Sequence, residues 1–253
     1  MAKLSPIVNK RPVFLLSHGA SIQGLEDRIQ EYKDKDICWI GMGLFNNMEK
    51  YILSKIDKQL DVVFDCASVP GGFRQNYESN VRMPRLAEFL GRDKANLWVT
   101  THGMIRDCVD IYAPYMHKYD NKILLIDSIF PRHQIGMWMD VPNSTTLAIA
   151  ACLAGWASKI FIFGMDGYTG DVATGVSTYY HPEEHTKERI AALGSDQDPG
   201  INRDTDMFDK KFPAIFRNYR RLLSNMAPVY NVSPITKYKV PDKITYDQVR
   251  GLL

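Results

Sequence analysis

The chain has 253 residues, long enough for one sizeable α/β core. Hydrophobic residues at 45% and charged residues at 24% match a folded globular domain, which excludes a disordered or lipid-embedded chain. A net charge of +2 is too small to point to nucleic acid or to an anionic membrane surface. Cys38, Cys66, Cys108 and Cys152 form no CxxC pair and read as reduced packing residues. The opening MAKLSPIVNKRP lacks the apolar stretch of a secretory signal, so a cytoplasmic location is expected.

Pro12 to Ser17 (PVFLLS) predicts a short apolar strand, followed directly by His18-Gly19-Ala20-Ser21. Gly19 permits a tight turn, and Ser21 is placed to cap a helix carrying Ile22, Leu25 and Ile29. Nucleotide-binding sheets cradle phosphate at such a turn. A plain turn is the competing reading, because HGAS is neither GxGxxG nor a Walker loop. Ile37 to Ile40 reads as strand two, ahead of Gly41-Met42-Gly43 and a helix from Asn47 to Ile56. Val62 to Asp65 reads as strand three with Asp65 at its carboxyl end, and Cys66 to Gly72 as a loop. A helix from Met83 to Leu90 precedes strand four, Leu97 to Thr101, and Lys122 to Ile126 makes strand five. Residues 104–121 and 128–142 read as aromatic-rich and irregular, and 104–142 are expected to form an insertion or acceptor-side lid. Aromatic side chains covering the core are the alternative there.

Residues 143–168, NSTTLAIAACLAGWASKIFIFGMDGY, organise the rest. Asn143, Ser144 and Thr145 are helix-start residues before an apolar run to Ala154, and Gly155 stands where that helix would stop. Lys159 to Phe163 then reads as a fully buried strand, turned at Gly164-Met165-Asp166-Gly167. Trp156 to Lys159 breaks the apolar run well short of ~20 residues, so no transmembrane segment is expected. Residues 168–206 are polar, contain His181 and His185, and read as a second lid or as disorder. Helical spacing runs from Asp206 to Met226 around Pro213, Pro228 to Asn231 makes a last strand, and Tyr246 to Leu253 a small helix. Alternating helices and buried strands imply one α/β domain over residues 1–253, with a doubly wound, mostly parallel, Rossmann-like sheet. Ligands of such sheets bind beyond the carboxyl ends of the strands.

The chemistry-bearing residues narrow the options. His181 and His185 are four apart with Pro182 between them, a poor metal pair. No GxSxG occurs, which disfavours a serine hydrolase. Asp65 and Asp166, each alone at a strand end, are candidates for ribose, base or hydrated Mg²⁺ contacts, or for holding a turn amide.

LLSHGASI, VVFD, the 143–168 segment and VYNVSP resemble, in order and spacing, the motifs of one superfamily. It contains bacterial sialyltransferases that use CMP-sialic acid, motility accessory factors that modify flagellin with nonulosonic acids, and hydroxymethylpterin pyrophosphokinase-like proteins. The resemblance implies a nucleotide-binding glycosyltransferase with a CMP-type donor and a glycan or protein acceptor, requiring no cofactor. It implies phosphate contacts from Gly19, Ser21 and the Asn143-Ser144-Thr145 helix start, and ribose or base contacts from Gly164, Asp166, Asn231 and Ser233. Tyr168 matches a tyrosine that donates to the leaving phosphate, with Tyr179 or Tyr180 as a second donor. Where the sialyltransferases place a histidine base, this chain has Ile201 after Gly200. The base is therefore expected at His185 or His181. A Mg²⁺-dependent pyrophosphokinase using Asp65 and Asp166, and a non-catalytic nucleotide-binding homologue, are the alternatives, and a homo-oligomer is left open.

Overall fold

The structure is a computed structural model that describes residues 3–43, 45–65, 78–106, 108–126, 144–166, 180, 217, 225–236, 238–239 and 241–253. Eight strands form one sheet: β1 (Pro12–Leu16), β2 (Cys38–Met42), β3 (Val62–Phe64), β4 (Leu97–Thr100), β5 (Ile123–Leu125), β6 (Lys159–Phe163), β7 (Val229–Asn231) and β8 (Asp242–Lys243). All neighbours are parallel, in the order β5-β4-β3-β2-β1-β6-β7-β8. This is the doubly wound, Rossmann-like α/β class that the sequence implies.

The described helices are α1 (Ser5–Val8), α2 (Gln23–Glu26), α3 (Phe45–Tyr51), α4 (Met83–Leu90), α5 (His102–Arg106), α6 (Val109–Lys118), α7 (Ser144–Ala154) and α8 (Tyr246–Leu252). Strand side chains alternate between two cores. Val13, Leu15, Ile160 and Ile162 face α1 and α7. Phe14, Leu16, Phe161 and Phe163 face α2, α3, α4, α6 and α8. Right-handed crossovers explain the split: β1 to β5 step one way with their helices on one face, and α7 crosses on the other to place β6 beside β1.

The central pair shows why these residues make strands. VFLL of β1 and IFIF of β6 are buried on both sides, so neither face tolerates a polar residue. Pro12 pairs with Lys159 and Leu16 with Phe163. The alanines of α7 let it lie close on this pair, with Ala148, Ile149, Cys152 and Leu153 buried. α7 ends where expected, at Ala154 with Gly155 directly after it. Trp156, not Gly155, takes the left-handed conformation, at φ 66°. The Ala157 amide bonds to Cys152 O at 3.0 Å and the Trp156 amide to Leu153 O at 3.1 Å, a Schellman end. Gly155 is instead a point of close approach, since a Cβ there would lie 3.1 Å from Val8 and 3.2 Å from Leu4.

Two expectations are corrected and one strand is added. Residues 104–121 are not irregular: most of them form α5 and α6, the crossover from β4 to β5. Cys108 and Tyr112 are buried at helical spacing, and the Tyr112 ring stacks on Trp98 at 5.5 Å. Pro114 and the surrounding tyrosines hide that period in the sequence. The helix expected from Asn47 to Ile56 starts at Phe45, ends at Tyr51 and continues as a 3₁₀ turn over Leu53–Ile56. Strand β8 was not expected, because two exposed charged residues carry no hydrophobic signal. The tail helix α8 is held by a capping box, with Gln248 Oε1 accepting the Thr245 amide at 2.8 Å. Most of the second lid (168–206) and of the Asp206–Met226 helix lies outside the described residues. Cys38, Cys108 and Cys152 are buried thiols outside any disulfide. Among the described residues, no helix is long and apolar enough to cross a membrane.

Candidate functional site

The strand order reverses between β1 and β6, and in doubly wound sheets the crevice beyond such a switch point is where ligands bind. The carboxyl rim of this sheet is where the polar residues gather. Ser17-His18 follow β1, Gly43 follows β2, Asp65 follows β3, Thr101-His102 follow β4, Gly164 to Asp166 follow β6 and Ser233 lies two residues beyond β7. Asp65, Asp166 and Ser233 are buried there, as are Thr100 and Asn231, the last residues of their strands. Buried polar groups are retained where they are bonded or used.

Asp166 is the hub. Its Oδ2 accepts the Ser21 amide at 2.8 Å, and its Oδ1 accepts the Ser21 hydroxyl and the Ser233 hydroxyl, the latter at 2.5 Å. Beside it the Gly19 amide bonds to Gly164 O at 2.9 Å and the Ser17 amide to Phe163 O at 2.9 Å, so the β1–β6 ladder continues past both strand ends. The two glycines are required for different reasons. Gly164 has φ +75°, whereas a Cβ on Gly19 would lie 2.3 Å from Gly164 O and 2.5 Å from Asp166 Oδ2. The Tyr246 hydroxyl of α8 donates to Ser21 O and closes the turn from behind. Burial, reinforced by the charge of Asp166, pushes the Tyr246 pKa above its ordinary value.

This geometry modifies the expected phosphate cradle. The Ser21 amide and hydroxyl are both given to the protein's own carboxylate, so in this closed arrangement neither faces an incoming phosphate. Asn231 lies on the far side of Asp166. Its Nδ2 donates to Met165 O at 3.0 Å and to Thr236 Oγ1 at 3.1 Å. Among the described residues its buried Oδ1 has no hydrogen-bond partner.

His18 joins this rim although its sequence context marked it only as part of a turn. Its Nε2 lies against Met42 O, where the ring N–H donates. Gly43, at φ +54°, keeps that space open, since a Cβ there would stand 3.1 Å from the ring. A ring-bearing polar residue immediately after the first strand was the available signal. The Tyr180 amide donates to His18 O at 2.8 Å, and the Tyr180 hydroxyl donates to Glu26 Oε2 at 2.5 Å. Tyr180 is buried against the α2 side, not offered as a phosphate donor. Burial raises the Glu26 pKa, but the Lys55 ammonium at 2.5 Å and the Tyr180 and Gln23 hydrogen bonds outweigh it and hold the carboxyl below its ordinary value.

Asp65 meets a different partner. Its Oδ2 lies 2.7 Å from Arg82 Nε, in an ion pair buried on both sides. Arg82 ends a π-helical turn over Glu78–Arg82 that runs into α4. Asp65 and Asp166 follow β3 and β6, three strand steps apart. At about 4.8 Å per step they stand on the order of 14 Å apart. One Mg²⁺, with ligands at about 2.1 Å, does not reach both. Among the described residues, no group of three His, Cys, Asp or Glu side chains could hold a metal ion.

None of the known protein families, curated proteins or solved structures compared with the chain matches it. The rim itself therefore carries the functional reading. α7 packs on the sheet and reaches β6 within four residues, so the Ser144 backbone at its amino end stands at the same rim as the Ser21 turn. Thr145 in its first turn is buried. Asn143, Tyr168, Tyr179, His181 and His185 lie outside the described residues.

Proposed function

We propose that the protein is a glycosyltransferase that takes a nonulosonic acid, such as sialic acid, from a CMP-type donor and passes it to a glycan or protein acceptor. The observation that supports it best is the meeting of the β1 turn and the Gly164-Met165-Asp166 turn at the switch point. Those turns belong to two of the four motifs that carry the resemblance, and they lie on one rim.

In this reading Asp166 fixes both turns and the Asn231–Ser233 segment, shaping the floor on which the ribose and base lie. The donor phosphate lies at the amino end of α7, whose eleven residues direct backbone N–H groups and the positive end of the helix dipole towards it. Tyr168 donates a hydrogen bond to the departing phosphate as charge develops, and His185, with His181 as the alternative, takes the acceptor hydroxyl proton. No metal is needed, because the helix end and the tyrosine supply the charge stabilisation. The separation of Asp65 from Asp166 disfavours the pyrophosphokinase alternative in the form where both hold one ion.

A thermal-shift panel of CMP and ATP, each with and without Mg²⁺, tests the reading. CMP without metal is expected to raise the melting temperature, in line with about 2.7 kcal/mol at one hundred times Kd. Stabilisation by ATP only with Mg²⁺ would favour the pyrophosphokinase, and stabilisation by neither would favour a non-catalytic role.

A further inference from the structure

The amino edge of the sheet, opposite this rim, carries an open cleft of about 1140 Å³. Its floor comes from the residues leading into the first four strands, among them Arg11, Asp61 and Lys94. Both arginines of the cleft have carboxylate partners. Arg92 sets its guanidinium on Glu49 at 2.7 and 2.6 Å, and Arg11 lies 3.4 Å from Asp36 and 3.7 Å from Asp61. Lys94 differs. It is partly buried, yet among the described residues it has no hydrogen bond and no carboxylate within 4.0 Å.

The nearby acids are already engaged. Asp61 accepts the Trp39 amide at 3.0 Å and faces Arg11, and Glu49 accepts the Leu60 amide at 2.8 Å besides holding Arg92. Burial lowers the Lys94 pKa against the pull of Asp61 and of Glu49, and the Arg92 charge adds to the lowering. A partly desolvated ammonium with no carboxylate in direct contact is costly, and an oxyanion entering the cleft would relieve that cost. Exposed Lys33, Lys35 and Lys58 on the walls add attraction, while exposed Asp34, Asp57 and Glu88 repel an extended polyanion.

We propose that the amino-edge cleft is a second ligand site, taking a small molecule whose oxyanion group pairs with Lys94. It is separate from the nucleotide site and does not depend on it. The volume admits a ligand of metabolite size.

Calorimetric titration with inorganic phosphate, pyrophosphate and malonate tests the proposal and separates phosphate from carboxylate chemistry. At least one probe is expected to bind saturably. Lys94→Met should weaken it about tenfold or more, as loss of a charge-assisted pair does, while the wall variant Lys33→Met changes it less than about threefold. In the unsubstituted protein, the bound probe should move the backbone amide resonances of residues 93–96 and leave those of 17–21 in place. No saturable binding of any probe, equal affinity in Lys94→Met, or shifts confined to 17–21 would each overturn the proposal.

Discussion

Asp166 brings together three donors that the chain supplies from positions 21 and 233. Removing its carboxylate leaves the Ser21 amide and two hydroxyls without their acceptor, each worth about 1–3 kcal/mol when buried. Asp166→Ala is therefore expected to lower unfolding stability by about 3 kcal/mol in urea titration, and Ser233→Ala by about 1 kcal/mol. Equal losses in the two variants would mean that the Ser21 contacts contribute nothing. Glu26 makes a pH prediction. Its folded pKa lies below the ordinary value near 4.5, so its bonds to Lys55 and Tyr180 contribute stability above that pH. That contribution is lost as pH falls through the folded pKa. Glu26→Gln should thus flatten the fall of urea stability below about pH 4.5, and an unchanged slope would remove Glu26 as its source. At this scale the sequence was partly legible: Asp166 alone at a strand end drew attention, and holding a turn amide was among its readings. Its serine partners were not legible as partners, because a bond across 145 residues leaves no local pattern.

The best-read element was the α7–β6 unit, since a small-residue helix start, an apolar run and a β-branched strand all agree on one structure. Its end falls where expected, but the left-handed residue there is Trp156 and not Gly155, with a testable consequence. Trp156 occupies a left-handed position that glycine adopts without strain, and its side chain is 55% exposed, so little packing is lost on replacement. Trp156→Gly is expected to stabilise the protein by about 0.5–1 kcal/mol, read as a raised melting temperature. A fall would show that the exposed indole packs against something that stabilises the fold. Gly155→Ala should act in the opposite direction, because its Cβ meets Val8 and Leu4 in the α1 packing. Helices α5 and α6 escaped detection for another reason. Tyrosines and Pro114 suggest a loop by composition, and only the burial of Cys108 and Tyr112 exposes the helical period.

At the scale of the whole molecule, seven of the eight described strands were readable because a parallel sheet covered on both faces demands continuous apolar runs. Strand order was not readable in detail, since it depends on which face each crossover takes. That order creates the switch point between β1 and β6, and it puts Asp65 three strands from Asp166. It also divides the polar residues between two edges, with a carboxyl rim locked by Asp166 and an amino cleft floored by Lys94. The central claim is that a CMP-type nucleotide binds at the carboxyl rim. Amide hydrogen exchange with and without CMP tests it most directly. The account predicts added protection at residues 17–22, 164–166 and 231–236, with none in 33–37 or 92–96. Protection confined to that amino cleft, or no change anywhere at saturating CMP, would contradict it.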